Sequence, residues 1–457
     1  MKNKIALFLF HRDLRLTDNS GLLRALENSE KVIPCFILNP VQLKNNPYRS
    51  DNAVQFMIES LIDLNEQLNK VGSHLEVLEG ETNAVLETLF KTGTIQALYT
   101  NRDYTPFAQK RDQAIESLCK QYNIAFFQES DALLTEPEQV RKPNGEPYTV
   151  FTPFFKRASK ISIREPKKNA HKNYLNQISE KESIDRLKKH ISNHSNIHQH
   201  GGSREAKKRI DRLGELRDYA KTRNNLAERG TSLLSPHHKF GTVSIREVYY
   251  AVLQQLGPES QLFTELFWRD FLTHIAFHFP HVFGREFKEK YQHIKWNANE
   301  EWFQKWCEGK TGFPIIDAGM RELNQTGAMH NRARMITASF LVKDLQINWQ
   351  WGEKYFAQKL IDYDPCVNNG NWQWAASTGC DAQPYFRIFN PLLQQKRFDP
   401  KAEYVKRWVP ELRSLNTKEI EALYGLNAVP PNGYVPGMVN HAEAVIQTKA
   451  LFKKCGY

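Results

Sequence analysis

Ile5-Ala6-Leu7-Phe8-Leu9-Phe10 is an unbroken apolar run, and His11-Arg12-Asp13-Leu14-Arg15-Leu16-Thr17-Asp18-Asn19 follows it with an abrupt turn to charge. Six apolar residues fit a strand buried on both faces, and a polar turn ahead of a helical pattern fits the first crossover of a parallel sheet. Runs of the same kind recur at 32–38, 74–78, 95–99 and 124–127. Helical patterns lie between them, such as Val54, Ile58, Leu61, Ile62, Leu64 and Leu68 behind Asp51 or Asn52 as a cap. This alternation predicts a doubly wound α/β domain with a parallel sheet over residues 1–130. The first turn lacks G-x-G-x-x-G, so its backbone cannot approach a pyrophosphate closely, and a dinucleotide dehydrogenase is disfavoured.

Outward from that domain the pattern changes twice. Residues 131–203 are polar and irregular, with Pro137, Pro143, Pro147, Pro153 and Pro166, and are expected to form a long interdomain linker over the surface. His190, His194 and His198 recur there every four residues, with His200 beyond, but no carboxylate or thiolate joins them at ligand spacing, so no metal site is expected. Residues 204–457 are dominated by helical periodicity, at 204–226, 244–256, 261–279, 301–307, 314–326, 332–345 and 351–361, and form a second, all-α domain. All nine tryptophans lie between Trp268 and Trp408, so the two halves are differently built.

The chain has 457 residues, and 62 Lys plus Arg against 51 Asp plus Glu leave a formal charge of +11. Such an excess points to a phosphate-rich partner. The opening apolar run is far short of the ~20 residues of a membrane span and has no cleavage site behind it. Cys35, Cys119, Cys307, Cys366, Cys380 and Cys455 are scattered without C-x-x-C, so neither a disulfide framework nor a thiolate metal site is expected. A basic cytoplasmic protein, without membrane contact, is the expectation.

Four blocks carry chemistry. Thr231-Ser232-Leu233-Leu234-Ser235-Pro236 sets three hydroxyls beside backbone N–H groups, which suits an anion or merely a turn. Glu265 and Trp268 share one face of an otherwise apolar helix, where Glu265 either pairs with Arg269 or meets a base stacked on the indole. Asn331, Arg332, Arg334 and Met335 open another apolar helix, and either Asp362 or Asp364 is able to pair with Arg334. Asn368-Asn369-Gly370-Asn371-Trp372-Gln373-Trp374 combines amides with indoles and suits flat polar heterocycles. Arg387, Gln394, Lys396 and Arg397 beyond it suit DNA phosphates, or equally a solvated surface.

W-C-E-G-K-T-G-F-P-I-I-D-A-G-M-R from Trp306, M-H-N-R-A-R-M from Met329, N-N-G-N-W-Q-W-A-A-S-T-G from Asn368 and T-S-L-L-S-P from Thr231 resemble, in order and spacing, the core motifs of the photolyase/cryptochrome flavoproteins. Within that family the chain resembles the class I enzymes acting on cyclobutane pyrimidine dimers. The resemblance implies FAD in the helical domain, held by Tyr219, Thr231, Ser232, Leu233, Leu234, Ser235, Arg334, Asp362, Asp364 and Asn368. It implies Glu265, Asn331 and Met335 as catalytic residues, with Trp268 and Trp374 walling the pocket for a flipped-out dimer. Arg223, Arg332, Arg387 and Gln394 would join Glu265, Trp268, Asn331 and Trp374 in contacting DNA. Trp372, Trp349 and Trp296 would relay electrons, while Trp351, Trp302 and Trp306 are expected to be packing. The implied reaction is a blue-light-driven electron transfer from reduced FAD that splits the dimer, without a metal or a protein partner, in a monomer.

Two departures from the family pattern bear on the cofactors. Leu233 stands where many relatives place Arg, which removes one phosphate contact. Tyr104-Thr105-Pro106-Phe107-Ala108 lacks the Asn-Glu pair that grips a folate antenna, so a methenyltetrahydrofolate is disfavoured, and a deazaflavin, a flavin or an empty pocket stay open. A blue-light photoreceptor of the same fold is the alternative activity. The short stretch after the helical domain, up to Tyr457, argues for repair.

Overall fold

The computed structural model describes residues 2–44, 46–191, 197–228, 230–425, 428–431 and 433–455. Five strands, β1 (Asn3–Phe10), β2 (Ser29–Leu38), β3 (Glu76–Glu79), β4 (Ala97–Asn101) and β5 (Ala125–Glu129), form one sheet in the order β3-β2-β1-β4-β5. Every pairing is parallel, with Leu7 of β1 flanked by Ile33 and Leu98. All five expected strands are present, shifted by a few residues at their ends. Crossover helices α1 (Ser20–Asn28), α2 (Asp51–Asn69), α3 (Thr82–Phe90) and α4 (Pro106–Gln121) complete the doubly wound domain. The cap of α2 is Ser50, whose hydroxyl accepts from Ala53 N at 3.3 Å, and not Asp51 or Asn52. The chain winds outward through β2 and β3 and then returns to β4, so the loops after β1 and β4 diverge and open a crevice.

The segment 131–203 is more than a surface run. It contains α5 (Phe151–Ala158) and α6 (Glu180–Lys188). Val32 N donates to Asn173 O and Leu175 N to Val32 O, both at 2.9 Å, and Tyr174 and Leu187 are buried in the sheet's core. Phe151 and Phe154 are buried in the core of the helical half. Tyr174 and Leu187 are isolated among polar neighbours and so hidden from a compositional reading, whereas Val150, Phe151, Phe154 and Phe155 form an apolar cluster that the expectation of a linker passes over.

The helical half holds α7 (Ser203–Asp211), α8 (Ile245–Leu256), α9 (Gln261–His278), α10 (Glu300–Glu308), α11 (Pro314–Thr326), α12 (Asn331–Ser339), α13 (Trp349–Lys359), α14 (Pro365–Ala376), α15 (Pro391–Phe398) and α16 (His441–Lys453). The helix expected over 204–226 is broken into α7, a 3-10 turn at Leu213–Leu216 and one turn at Tyr219–Thr222, with Gly214 at the break. Conversely, the amide-rich block 368–377 lies on a helix, α14, which its composition did not suggest. α12 passes into a π turn at Phe340–Asp344. No described helix is long and apolar enough to cross a membrane.

An ionic network, buried except at Arg164, joins the halves. Asp18 meets Arg164 at 2.6 Å and Arg246 at 2.7 Å, and Asp131 meets Arg15 and Arg246, each at 2.6 Å. Burial disfavours the Asp131 carboxylate, but Arg15 and Arg246 outweigh it and hold its pKa down to about 2.

Candidate active site

α14 is the element around which the site is built. Asp364 caps it, its Oδ1 accepting from Cys366 N at 3.0 Å and Val367 N at 3.2 Å, and Pro365 fills the first helical position, where no N–H is needed. The other carboxylate oxygen of Asp364 pairs with Arg12 from the turn after β1. Burial opposes that negative charge, yet Arg12, Lys239 and Arg269 drive the Asp364 pKa well below the ordinary carboxylate range. The choice left open by the sequence is thereby resolved: Arg334 pairs with Asp362, at 3.0 Å, and Asp364 with Arg12. Gly370 lets α14 lie against α9, because a Cβ there would press within 2.5 Å of Leu272.

Three observations fit a flavin. Asp362 Oδ1 is buried without a partner among the described residues, beside the Arg334 pair, and awaits a donor. Asn368 is 9% exposed and spends its Nδ2 on Glu353 O at 3.1 Å, so its Oδ1 is left to face a ligand. Leu233 adopts φ +55°, a left-handed conformation that costs a Leu roughly 1–2 kcal/mol and is retained mostly where function requires it. Thr231 and Ser232 beside it are half-buried, Ser235 is exposed, Leu234 is 2% exposed and Tyr219 is buried. Asp364 is the exception in the FAD set, since its carboxylate is consumed by the helix cap and Arg12.

On the second side, Glu265 does not pair with Arg269. Its Oε1 accepts from an Arg223 Nη and from Gln261 Nε2 at 3.1 Å, while Arg269 donates to Ala132 O at 2.6 Å. Arg223 is thus tied to the carboxylate in the free protein. Asn331 and Met335 share a face, Nδ2 to Sδ 3.7 Å. Arg332 is braced by Asn224 Oδ1 at 2.6 Å and lies 4.3 Å over the Phe398 ring. Burial first, then Arg223 and Arg397, lower its pKa to about 10. Trp268 and Trp374 line one pocket with Leu272 and Asn371. Arg387 is exposed and Gln394 half-buried on α15.

Trp372 and Trp349 are both buried, at 2% and 0% exposed, and Trp296 is only partly buried. No ring contact joins these three, whereas Trp372 sits edge-on to Phe356 at 4.9 Å and to Trp306 at 6.2 Å. Trp306 is fully buried with Nε1 donating to Thr337 O, as a packing residue should be.

The crevice between β1 and β4 forms a pocket lined by His11, Arg12, Asp103, Tyr104, Asp364 and Cys366. Sequence reasoning did not single out this crevice, although the charged turn after β1 signalled it. Of the histidine run, His190 lies 4.0 Å from Glu79 and His200 3.2 Å from Glu59, and His194 lies outside the described residues. Among the described residues no three metal-ligating side chains cluster.

A doubly wound domain joined to a helical domain with these features defines a two-domain flavoprotein. Residues 6–171 match the family model described as DNA photolyase, and residues 262–454 match that of the FAD binding domain of DNA photolyase. The chain is 39% identical to the deoxyribodipyrimidine photo-lyase of Alkalihalophilus pseudofirmus, over 88% of this chain and 86% of that one. It superposes on an archaeal photolyase from Sulfolobus tokodaii with two FAD molecules at TM-score 0.89 and 42% identity, covering 98% of this chain and 100% of that one. A Synechocystis sp. PCC6803 cryptochrome superposes at TM-score 0.86 and 27% identity, covering 99% of each chain. The chain belongs to the DNA photolyase family.

Proposed function

We propose that this chain is a deoxyribodipyrimidine photo-lyase, which binds DNA carrying cyclobutane pyrimidine dimers and splits them under blue light. The carrying observation is that α14 bears Asn368, Trp372 and Trp374 within two turns, so cofactor, relay and lesion-wall roles share one rigid element. Bound FAD, when reduced, supplies the photoexcitable electron. Thr231, Ser232 and Ser235 offer hydroxyls to its phosphates, with Tyr219, Leu233 and Leu234 shaping that loop. Arg334, Asp362 and Asn368 orient the flavin ring, and Asn368 Oδ1 accepts from it.

Glu265 and Asn331 hold the base edges of the dimer, and Asn331 rests on Met335. Asn331 Nδ2, fixed in advance as a donor at a carbonyl oxygen, stabilises negative charge as it develops there, while the Glu265 carboxylate accepts from a base N–H. Trp268 and Trp374 stack on or flank the extruded bases, which costs least for a dimer already poorly paired. Arg223, Arg332, Arg387 and Gln394 track the phosphates. Trp372, Trp349 and Trp296 carry electrons inward from the surface. Residues 1–130 form the antenna domain, 131–203 the connector and 204–457 the FAD- and DNA-binding domain. The crevice pocket between β1 and β4 is the place for a second chromophore, for which the two FAD molecules of the Sulfolobus relative favour a flavin over a folate. The protein acts as a cytoplasmic monomer with no protein partner.

The test is blue illumination of purified, flavin-reduced protein with an oligonucleotide containing one thymine dimer, scored for restored thymines. Light-dependent restoration, absent in the dark, is expected. A flavin-loaded, reduced protein that restores none is a photoreceptor of the same fold and not a repair enzyme.

A further inference from the structure

We infer that Phe151, in the segment between the domains, is a positioning residue that fixes the plane of Trp268 as a wall of the lesion pocket, an inference that rests on the reading of that pocket given above. The two ring centroids are 3.6 Å apart and their planes within 8°. One face of the indole is therefore covered by the phenyl ring. Phe271 takes an edge, 5.7 Å from Trp268 at 81° and 5.7 Å from Phe151 at 74°. Aromatic pairs left to themselves favour offset or edge-on arrangements, so a near-parallel stack this close is held by its surroundings.

Those surroundings hold Phe151 itself. It opens α5, whose N-cap, Val150, offers no side-chain oxygen, and its N–H is instead taken by Asp381 Oδ2 at 2.9 Å. Phe155, one turn on, stacks against it at 5.7 Å and 18°. Asp381 lines the same cavity as Trp268 and Trp374. Three separate stretches of chain thus meet at one indole: α9 carries it, the connector backs it and the loop after α14 pins the backing. With one face and one edge taken, Trp268 has one face left for a base. A platform that is already immobile loses no freedom when a base stacks on it, which favours the bound state without adding a contact.

The experiment uses full-length, flavin-loaded protein in the dark, with binding to an oligonucleotide carrying one thymine dimer compared with its undamaged twin. Phe151→Leu keeps most of the buried volume and removes the flat face. It is expected to weaken dimer binding at least fivefold, while undamaged-DNA affinity stays within twofold and flavin content is unchanged. Phe151→Tyr restores the ring and is expected to restore dimer binding. Trp268→Ala abolishes the preference for the dimer, and the double variant with Phe151→Leu loses nothing further. Wild-type dimer affinity in Phe151→Leu, alongside a lost preference in Trp268→Ala, overturns the inference and leaves the pocket reading standing. Equal weakening toward both oligonucleotides, or loss of flavin, shows a merely structural role and also overturns it. If Trp268→Ala keeps the preference, the pocket reading itself fails and this inference falls with it.

Discussion

At the scale of single residues, the side chains that matter are those whose partners are settled and whose remaining valence points at a ligand. Trp372 is 2% exposed and sits edge-on to both Phe356 and Trp306. Trp372→Phe is expected to block photoreduction of the oxidised flavin, followed by its absorbance, yet to allow repair once the flavin is reduced chemically. Asp270 is a different case. It is buried on α9, its Oδ2 accepting from Thr135 N at 2.8 Å and its Oδ1 without a partner among the described residues. Burial, only partly offset by Arg269 and Thr135, pushes its pKa up to about 7. The folded state therefore holds a proton that the unfolded chain releases near its ordinary pKa of about 4, and stability falls as pH rises from about 4 to about 7. Asp270→Asn is expected to stabilise the protein, by roughly 1–3 kcal/mol more at pH 8 than at pH 5 in urea titrations. Equal gains at the two pH values would sink this account.

At the scale of elements, α14 is clamped at both ends by side chains from elsewhere in the chain. Asp364 and Arg12 secure its start. At its end Lys343, fully buried in the π turn, donates to Ser377 Oγ at 2.9 Å and Ala376 O at 3.2 Å and lies 3.9 Å from the Phe452 ring of α16. Burial drives the Lys343 pKa well below the ordinary ammonium range, so this end is held by hydrogen bonds to Ser377 and to the Ala376 carbonyl. Asp364→Asn keeps the capping oxygen but loses the charge facing Arg12, whereas Asp364→Ala loses both. The Ala variant is expected to cost about 1 kcal/mol more in denaturant unfolding than the Asn variant, the ordinary worth of a cap. The five strands were legible because each is a short apolar run between charged turns. α14 was not, because Asn, Gly and Trp have weak helix propensity and its stability comes from distant partners. Its signal, Asp364 followed by Pro365, was present but brief. Glu265 and Trp268 were legible as a pair on one face, but Arg223 lies 42 residues upstream, and no local pattern reveals such a pairing.

At the scale of the whole molecule, the sheet domain and the helical domain are bound by charges that neither could bury alone. Arg246 on α8 bridges Asp18 and Asp131 of the N-terminal half. Removing one member of a buried ionic cluster typically costs about 3–5 kcal/mol, because the others stay desolvated. Arg246→Met is expected to lower stability by about that amount, read as a fall in the urea midpoint. The same carboxylates set an acid limit. Asp131, with its folded pKa near 2, stabilises the fold above its ordinary pKa of about 4 and loses that contribution as pH falls through 2.

The strand-like clasp of Val32 by Asn173 and Leu175 has a consequence for how the protein is made. A nascent chain that has just emerged through β5 still lacks Tyr174 and Leu187, which complete its first core, so the growing polypeptide must leave the ribosome well past that point before its leading portion can settle. By the same token, a protease that nicks the finished molecule in the exposed turn near residue 145 would leave two fragments that travel together through a sizing column, since each remains laced into the other.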